Sequence, residues 1–145
     1  MLVTRDVRQS VDRSVAEVMS VAADLSRLPE WACGFASGAE RVLRRPPEGE
    51  TGPGRDVWIV DAPFGRVEAE FSIDIERGIL DHDVTMPDGN VVHNRLRVEP
   101  RSSGSELVFT VPMQPGMTDE QWRADVQAVA DDLRRLAALC ESIRR

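Results

Sequence analysis

Hydrophobic and polar residues alternate most regularly between Val67 and Glu76. Val67, Ala69, Phe71, Ile73 and Ile75 fall on one side, and Glu68, Glu70, Ser72, Asp74 and Glu76 on the other. A period of two sends successive side chains to opposite faces, so this segment reads as a strand covered on one face and wet on the other, as in an antiparallel sheet. The stripe Glu68, Glu70, Asp74 and Glu76 is then a solvated outer face that opposes stray strand pairing. Val3 to Val11 shows the same period, with Val3, Val7 and Val11 facing one way; Arg5 and Gln9 dilute that side. Shorter strands are predicted at Ala39 to Arg44, Asp56 to Asp61, Ile79 to Met86, Val91 to Glu99 and Glu106 to Val111.

Two segments switch to the helical period. Ser14-Val15-Ala16-Glu17 has the pattern of a capping box, and Val15, Val18, Met19 and Ala22 follow at helical spacing. A second short helix or turn begins near Ser26 and includes Leu28-Pro29-Glu30-Trp31, where proline suits a first helical turn. Thr118-Asp119-Glu120-Gln121 is another capping box. After it Trp122, Val126, Val129, Ala130, Leu133, Leu136, Ala137 and Cys140 recur at three and four, which predicts one amphipathic helix of roughly 25 residues.

Turn parity constrains which strand faces look inward. Around Pro87-Asp88-Gly89-Asn90, Leu80, His82, Val84 and Met86 share a face, as do Val92, Asn94, Leu96 and Val98. Matching these faces requires a loop of odd length, most simply Asp88-Gly89-Asn90. That register sets Val84 opposite Asn94 and His82 opposite Leu96, making His82 and Asn94 diagonal neighbours roughly 7–8 Å apart. A type I turn at Ala62-Pro63-Phe64-Gly65 brings Val67, Val60 and Trp58 inward together. A turn at Arg77-Gly78 keeps Ile75 and Leu80 on one face. The Pro- and Gly-rich stretch Arg45–Gly54 reads as a long hairpin connection inside a single domain spanning 1–145.

Composition narrows the function classes. Of 145 residues, 41% are hydrophobic and 30% charged, which suits one soluble globular domain. The net charge is −7 and Lys/Arg runs are short, which argues against a nucleic-acid partner or an anionic membrane surface. No apolar stretch approaches a bilayer span, so no integral membrane contact is expected, and the N-terminus lacks signal-peptide features; a cytoplasmic location follows by default. Cys33 and Cys140 form no CxxC pair, and the two histidines, His82 and His93, point apart. Neither a disulfide framework nor a metal site is expected, and no nucleotide or flavin motif implies a cofactor. Homodimers are common on priors, but no exposed apolar strip demands one.

The predicted order is α+β: a strand, two short helices, six antiparallel strands and one long helix. A single helix cannot cover a broad curved sheet. Only 5% of residues are aromatic, with no tyrosine. The large fillers are few (Phe35, Trp58, Phe71, Phe109, Trp122), which favours an internal cavity.

The segments Val11–Val18, Ala23–Trp31 with its Leu-Pro-Glu-Trp motif, Gly78–Gly89, and the terminal helix after Pro115-Gly116-Met117-Thr118 resemble the SRPBCC superfamily, the START / polyketide cyclase / Bet v 1-like helix-grip proteins. Within it, the chain is similar to an uncharacterised bacterial polyketide-cyclase-like subgroup. The resemblance implies a seven-stranded antiparallel sheet gripping the long C-terminal helix, with a hydrophobic tunnel between. Members include lipid carriers, hormone receptors, aromatic cyclases, coenzyme Q-binding proteins and chaperone activators, and fold alone does not choose among them.

His82 is the leading catalytic candidate: an imidazole on a cavity wall that acts as general acid or base, or else a buried histidine bonded to a neighbour. Asn94 beside it would polarise a carbonyl or hold the imidazole tautomer. Asp81 and Asp83 flank His82 but face outward. Trp31, Phe35, Trp58, Val60, Phe71, His82, Asn94, Phe109, Trp122 and Val126 form the expected ligand-binding set. Trp31 and Phe35 are either packing residues or a lid, with Gly34 and Gly38 allowing movement. Cys140 is expected to be buried and Cys33 to be exposed but unactivated. The expected function is binding of a small hydrophobic molecule, such as a polyketide, aromatic or lipid-like compound. The alternatives are a cyclase or dehydratase using His82, and a protein-interaction module.

Overall fold

The chain was built as a computed structural model, which describes residues 3–32, 38–44, 55–62 and 65–143; for 38–44, 55 and 56 only the backbone path is described. Strand β1 (Thr4–Val11) leads into helix α1 (Val15–Ala22), a 3-10 turn (Leu25–Arg27) and helix α2 (Leu28–Trp31). Strands β2 (Gly38–Arg44), β3 (Arg55–Ala62), β4 (Gly65–Asp74), β5 (Ile79–Thr85), β6 (Val91–Pro100) and β7 (Ser105–Pro112) follow, and α3 (Asp119–Ser142) closes the chain. The strands form one seven-stranded sheet in the order β1-β7-β6-β5-β4-β3-β2, antiparallel at each paired step. The hairpin stretch 45–54 and the turn residues Pro63 and Phe64 lie outside the described residues.

Both capping boxes form. Ser14 Oγ accepts from the Glu17 amide while Glu17 accepts from the Ser14 amide, and Thr118 and Gln121 repeat the exchange on α3. Each satisfies two donors that a helix start otherwise leaves orphaned. At its other end α3 is tied to the chain's beginning. Arg13 donates to the carbonyls of Glu141 at 2.7 Å and Ile143 at 3.3 Å, and Glu141 accepts from the Asp12 amide at 2.8 Å. A guanidinium at a helix C-terminus meets both its free carbonyls and its negative dipole end. With 24 residues, α3 runs about 36 Å at 1.5 Å per residue.

The inner face of the sheet and the helices enclose one core, in which Met19, Leu80, Leu96, Leu107, Leu133 and Leu136 are fully buried. Strands β3 and β4 pair in the expected register: Val60 with Val67 and Trp58 with Ala69, and Val60 is fully buried.

Two register expectations need correction. His82 pairs directly with Asn94, and Val84 with Val92, so the pairing is displaced by two residues from the one read in the sequence. The loop is odd, but it is Pro87-Asp88-Gly89. The Met86 amide donates to the Asn90 carbonyl at 2.8 Å, and the Gly89 amide donates to the Met86 carbonyl at 2.9 Å. Proline has no N–H for a ladder position, so it moves into the turn, and Gly89 takes the positive φ of +92° that completes a three-residue hairpin. The second correction concerns Ile75. The last β4–β5 pair is Asp74 with Ile79, so Ile75 belongs to the turn and is 58% exposed instead of sharing a covered face with Leu80.

Candidate functional site: an apolar cavity under the sheet

A cavity of about 390 Å³ lies between α3, α2 and the inner faces of strands β4 to β7. Pockets of ~300–1,000 Å³ typically hold small molecules. Its walls are mostly apolar: Phe71, Val84, Val92 and Phe109 come from the sheet, Leu28 and Trp31 from α2, and Val129 and Leu133 from α3. The partly exposed side chains of Gln114 and Met117 and the exposed Asp125 rim it on one side.

His82 and Asn94 stand directly opposite one another on β5 and β6, and both line this cavity. The His82 ring stacks on Phe71, with centroids 4.7 Å apart at 25°, and meets Phe109 edge-on at 5.9 Å. Its Nδ1 lies 3.0 Å from the Leu80 carbonyl. A carbonyl only accepts, so Nδ1 carries the proton and Nε2 is left with its lone pair. Burial pushes the imidazole below its ordinary value of 6.5, outweighing the Leu80 carbonyl and the charges of Asp81 and Asp83. His82 is therefore neutral at physiological pH. It is half-buried, and the ring surface that remains borders the cavity.

The flanking carboxylates face the other side of the sheet, as the alternation required. Asp83 Oδ1 is 2.6 Å from His93 Nδ1, both exposed. Asp81 accepts from Arg97 at 2.9 and 2.6 Å and from the Leu96 amide at 3.2 Å. Burial works against the Asp81 charge, but Arg97 and the Leu96 amide outweigh it and hold the carboxyl below its ordinary range. These contacts commit both carboxylates to the outer face of the sheet.

Five of the residues read from the sequence as ligand-binding meet here: Trp31, Phe71, His82, Asn94 and Phe109. Trp58 and Val60 face inward but pack into the core near β3 and do not border the cavity. Trp122 and Val126 are also absent from the wall; the Trp122 indole N–H turns to the Val111 carbonyl at 3.4 Å. Cys33, Gly34 and Phe35 lie outside the described residues, and Gly38 opens β2. Cys140 is buried, and burial raises its thiol to about 11, which leaves it unreactive.

The α3 stripe on the cavity is Asp125, Ala128, Val129, Asp132 and Leu133. These positions follow helical spacing, but the stripe is rotated from the purely apolar one because it contains two aspartates. A search for apolar periodicity passes over it; the usable signal was a pair of acids seven residues apart beside Ala128 and Val129. Asp132 is buried and pairs with Arg135, whose Nε donates to the Trp31 carbonyl at 3.1 Å, tying α2 to α3 over the cavity.

Comparison with known proteins agrees with this architecture. A family model described as polyketide cyclase / dehydrase and lipid transport matches residues 3–141. No curated protein matches the chain by sequence. Among solved structures, Ara h 8.0201 superposes with a TM-score of 0.71 at 18% identity, covering 99% of this chain and 100% of that one. The Zhui aromatase/cyclase from Streptomyces sp. R1128 gives a TM-score of 0.71 at 15% identity, covering 97% and 94%. A protein from Bacillus thuringiensis gives 0.70 at 14% identity, covering 97% and 100%. At such identities the likeness is one of fold, the helix grip of the SRPBCC superfamily.

Proposed function

Because the chain belongs to the polyketide cyclase / dehydrase and lipid transport family, we propose that it binds a small hydrophobic molecule in the cavity beneath its sheet. The observation that carries this reading is the cavity of about 390 Å³, walled by apolar side chains and carrying His82 and Asn94 side by side. Apolar walls supply affinity through desolvation, and a few polar groups orient the occupant. Native mass spectrometry of freshly purified protein tests it, with a co-purifying small molecule expected. Apolar probes should also raise the melting temperature. A protein that carries nothing and shifts with no probe would end this reading.

A second reading has its own support. Nε2 of His82 is unprotonated, and His82 and its strand partner Asn94 both line the cavity, which suits a general base beside a group that polarises a carbonyl. In this reading the protein is a cyclase or dehydratase acting on a polyketide-like substrate, with His82 moving the proton. His82→Ala should then abolish turnover while the protein still folds, and His82→Phe, which keeps a ring beside Phe71, should abolish it with little loss of stability. Turnover that survives the substitution would leave binding alone.

A further inference from the structure

The polar inventory of the cavity is lopsided. Among the described residues no lysine or arginine lines it, and its ionisable members are His82, Asp125 and Asp132. Asp132 has its charge met by Arg135, which itself does not border the cavity. Among the described residues Asp125 has no such cation; it is exposed at the rim, and the partial desolvation of its carboxyl there raises it above the ordinary range. Burial keeps His82 neutral, so the imidazole offers a lone pair and no positive charge. The carboxamides of Asn94 and Gln114 can present either an oxygen or an N–H, and the Trp31 indole N–H, buried without a partner among the described residues, adds a neutral donor for an oxygen of the occupant; none of the three brings a positive charge.

An anion entering this space would lose its hydration and meet a like charge at the rim, with no cation on the described wall to receive it. The net charge of −7 opposes its approach as well. A hydroxyl hydrogen, by contrast, has an acceptor in the unprotonated Nε2 of His82, whose ring lines the cavity together with Phe71 and Phe109, aromatic neighbours that suit a ring compound.

Resting on the reading of the cavity as a binding site, we propose that its occupant is a neutral ring compound bearing a hydroxyl donor, seated with that hydroxyl on His82, and that carboxylate-ended lipids are excluded.

Calorimetric titration of the whole protein near neutral pH, with naphthalene, 2-naphthol and 2-naphthoate, tests this. The three share one ring system and differ in donor and charge. 2-Naphthol should bind about tenfold more tightly than naphthalene, the yield of one buried hydrogen bond, and at least about tenfold more tightly than 2-naphthoate. His82→Phe keeps an aromatic ring at the site and should erase the advantage of naphthol over naphthalene. Asp125→Asn should tighten 2-naphthoate several-fold. Naphthoate binding as tightly as naphthol, or naphthol gaining nothing over naphthalene, would overturn the proposal while leaving the cavity a binding site. Failure of all three against folded protein would remove the binding reading itself. If His82→Phe does not fold, the wild-type ranking still decides between these outcomes.

Discussion

His82 is the residue whose chemistry depends most on its surroundings. Its Nδ1 proton is held by the Leu80 carbonyl, its ring lies on Phe71, and burial disfavours the imidazolium. The sign of the resulting pH dependence follows from proton counts. The unfolded chain binds the His82 proton near the ordinary value of 6.5, and the folded chain only at lower pH. Between those values the unfolded state holds the extra proton. This contribution to stability is therefore complete above about 6.5, declines as the pH falls through that value, and levels off below the folded pKa. Melting temperatures recorded from mildly alkaline to mildly acid pH should show this decline in the wild type. The wild-type curve minus that of His82→Phe should isolate it, because carboxylates such as Asp81 titrate in both proteins and cancel.

At the level of elements, the hairpins that place His82 and Asn94 depend on glycines with positive φ. Gly78, at φ +69°, ends the turn into β5, and a Cβ there would lie 2.3 Å from the Val98 carbonyl oxygen. Gly78→Ala combines left-handed strain of ~1–2 kcal/mol with a backbone clash that the sheet cannot relieve cheaply, so a loss above about 3 kcal/mol is expected in urea unfolding. Gly89, at φ +92°, has open space around its missing Cβ. Gly89→Ala should cost only the conformational share, about 1 kcal/mol. Equal losses would mean that the contact with Val98 is unimportant. These elements were largely legible beforehand. The alternation from Val67 and the two capping boxes marked strand and helix starts because they depend on neighbours in sequence. The β5–β6 register was legible only modulo two. Parity excludes half of the alignments, and the choice among the rest rested on Pro87 having no amide to give the ladder.

Over the whole molecule, the cavity exists because α3 and the short helices do not fill the space under the sheet. The core packs tightly around Leu80, Leu96 and Leu133, while Ala128 and Val129 on α3 leave room beside Phe71 and Phe109. Ala128→Phe should occupy part of that room. The expected result is a loss of more than about tenfold in affinity for 2-naphthol by calorimetry, with the melting temperature unchanged or higher, since the new ring enters apolar space instead of a packed core. Unchanged affinity would place the binding site elsewhere.

The chain's own order of residues determined the α+β class, the antiparallel strands, the starts of α1 and α3, and the inward facing of His82 and Asn94, because periodicity and capping are local properties. It also limited the number of large side chains available to fill the interior. Only the tertiary structure decided that His82 and Asn94 are direct partners, that Trp58, Val60, Trp122 and Val126 stand off the cavity, and that Asp125 and Asp132 join its wall. Those outcomes depend on the rotation of α3 against the sheet and on the closing of a turn. Both are settled by packing between segments far apart in the chain, which no local pattern of hydrophobic and polar residues encodes.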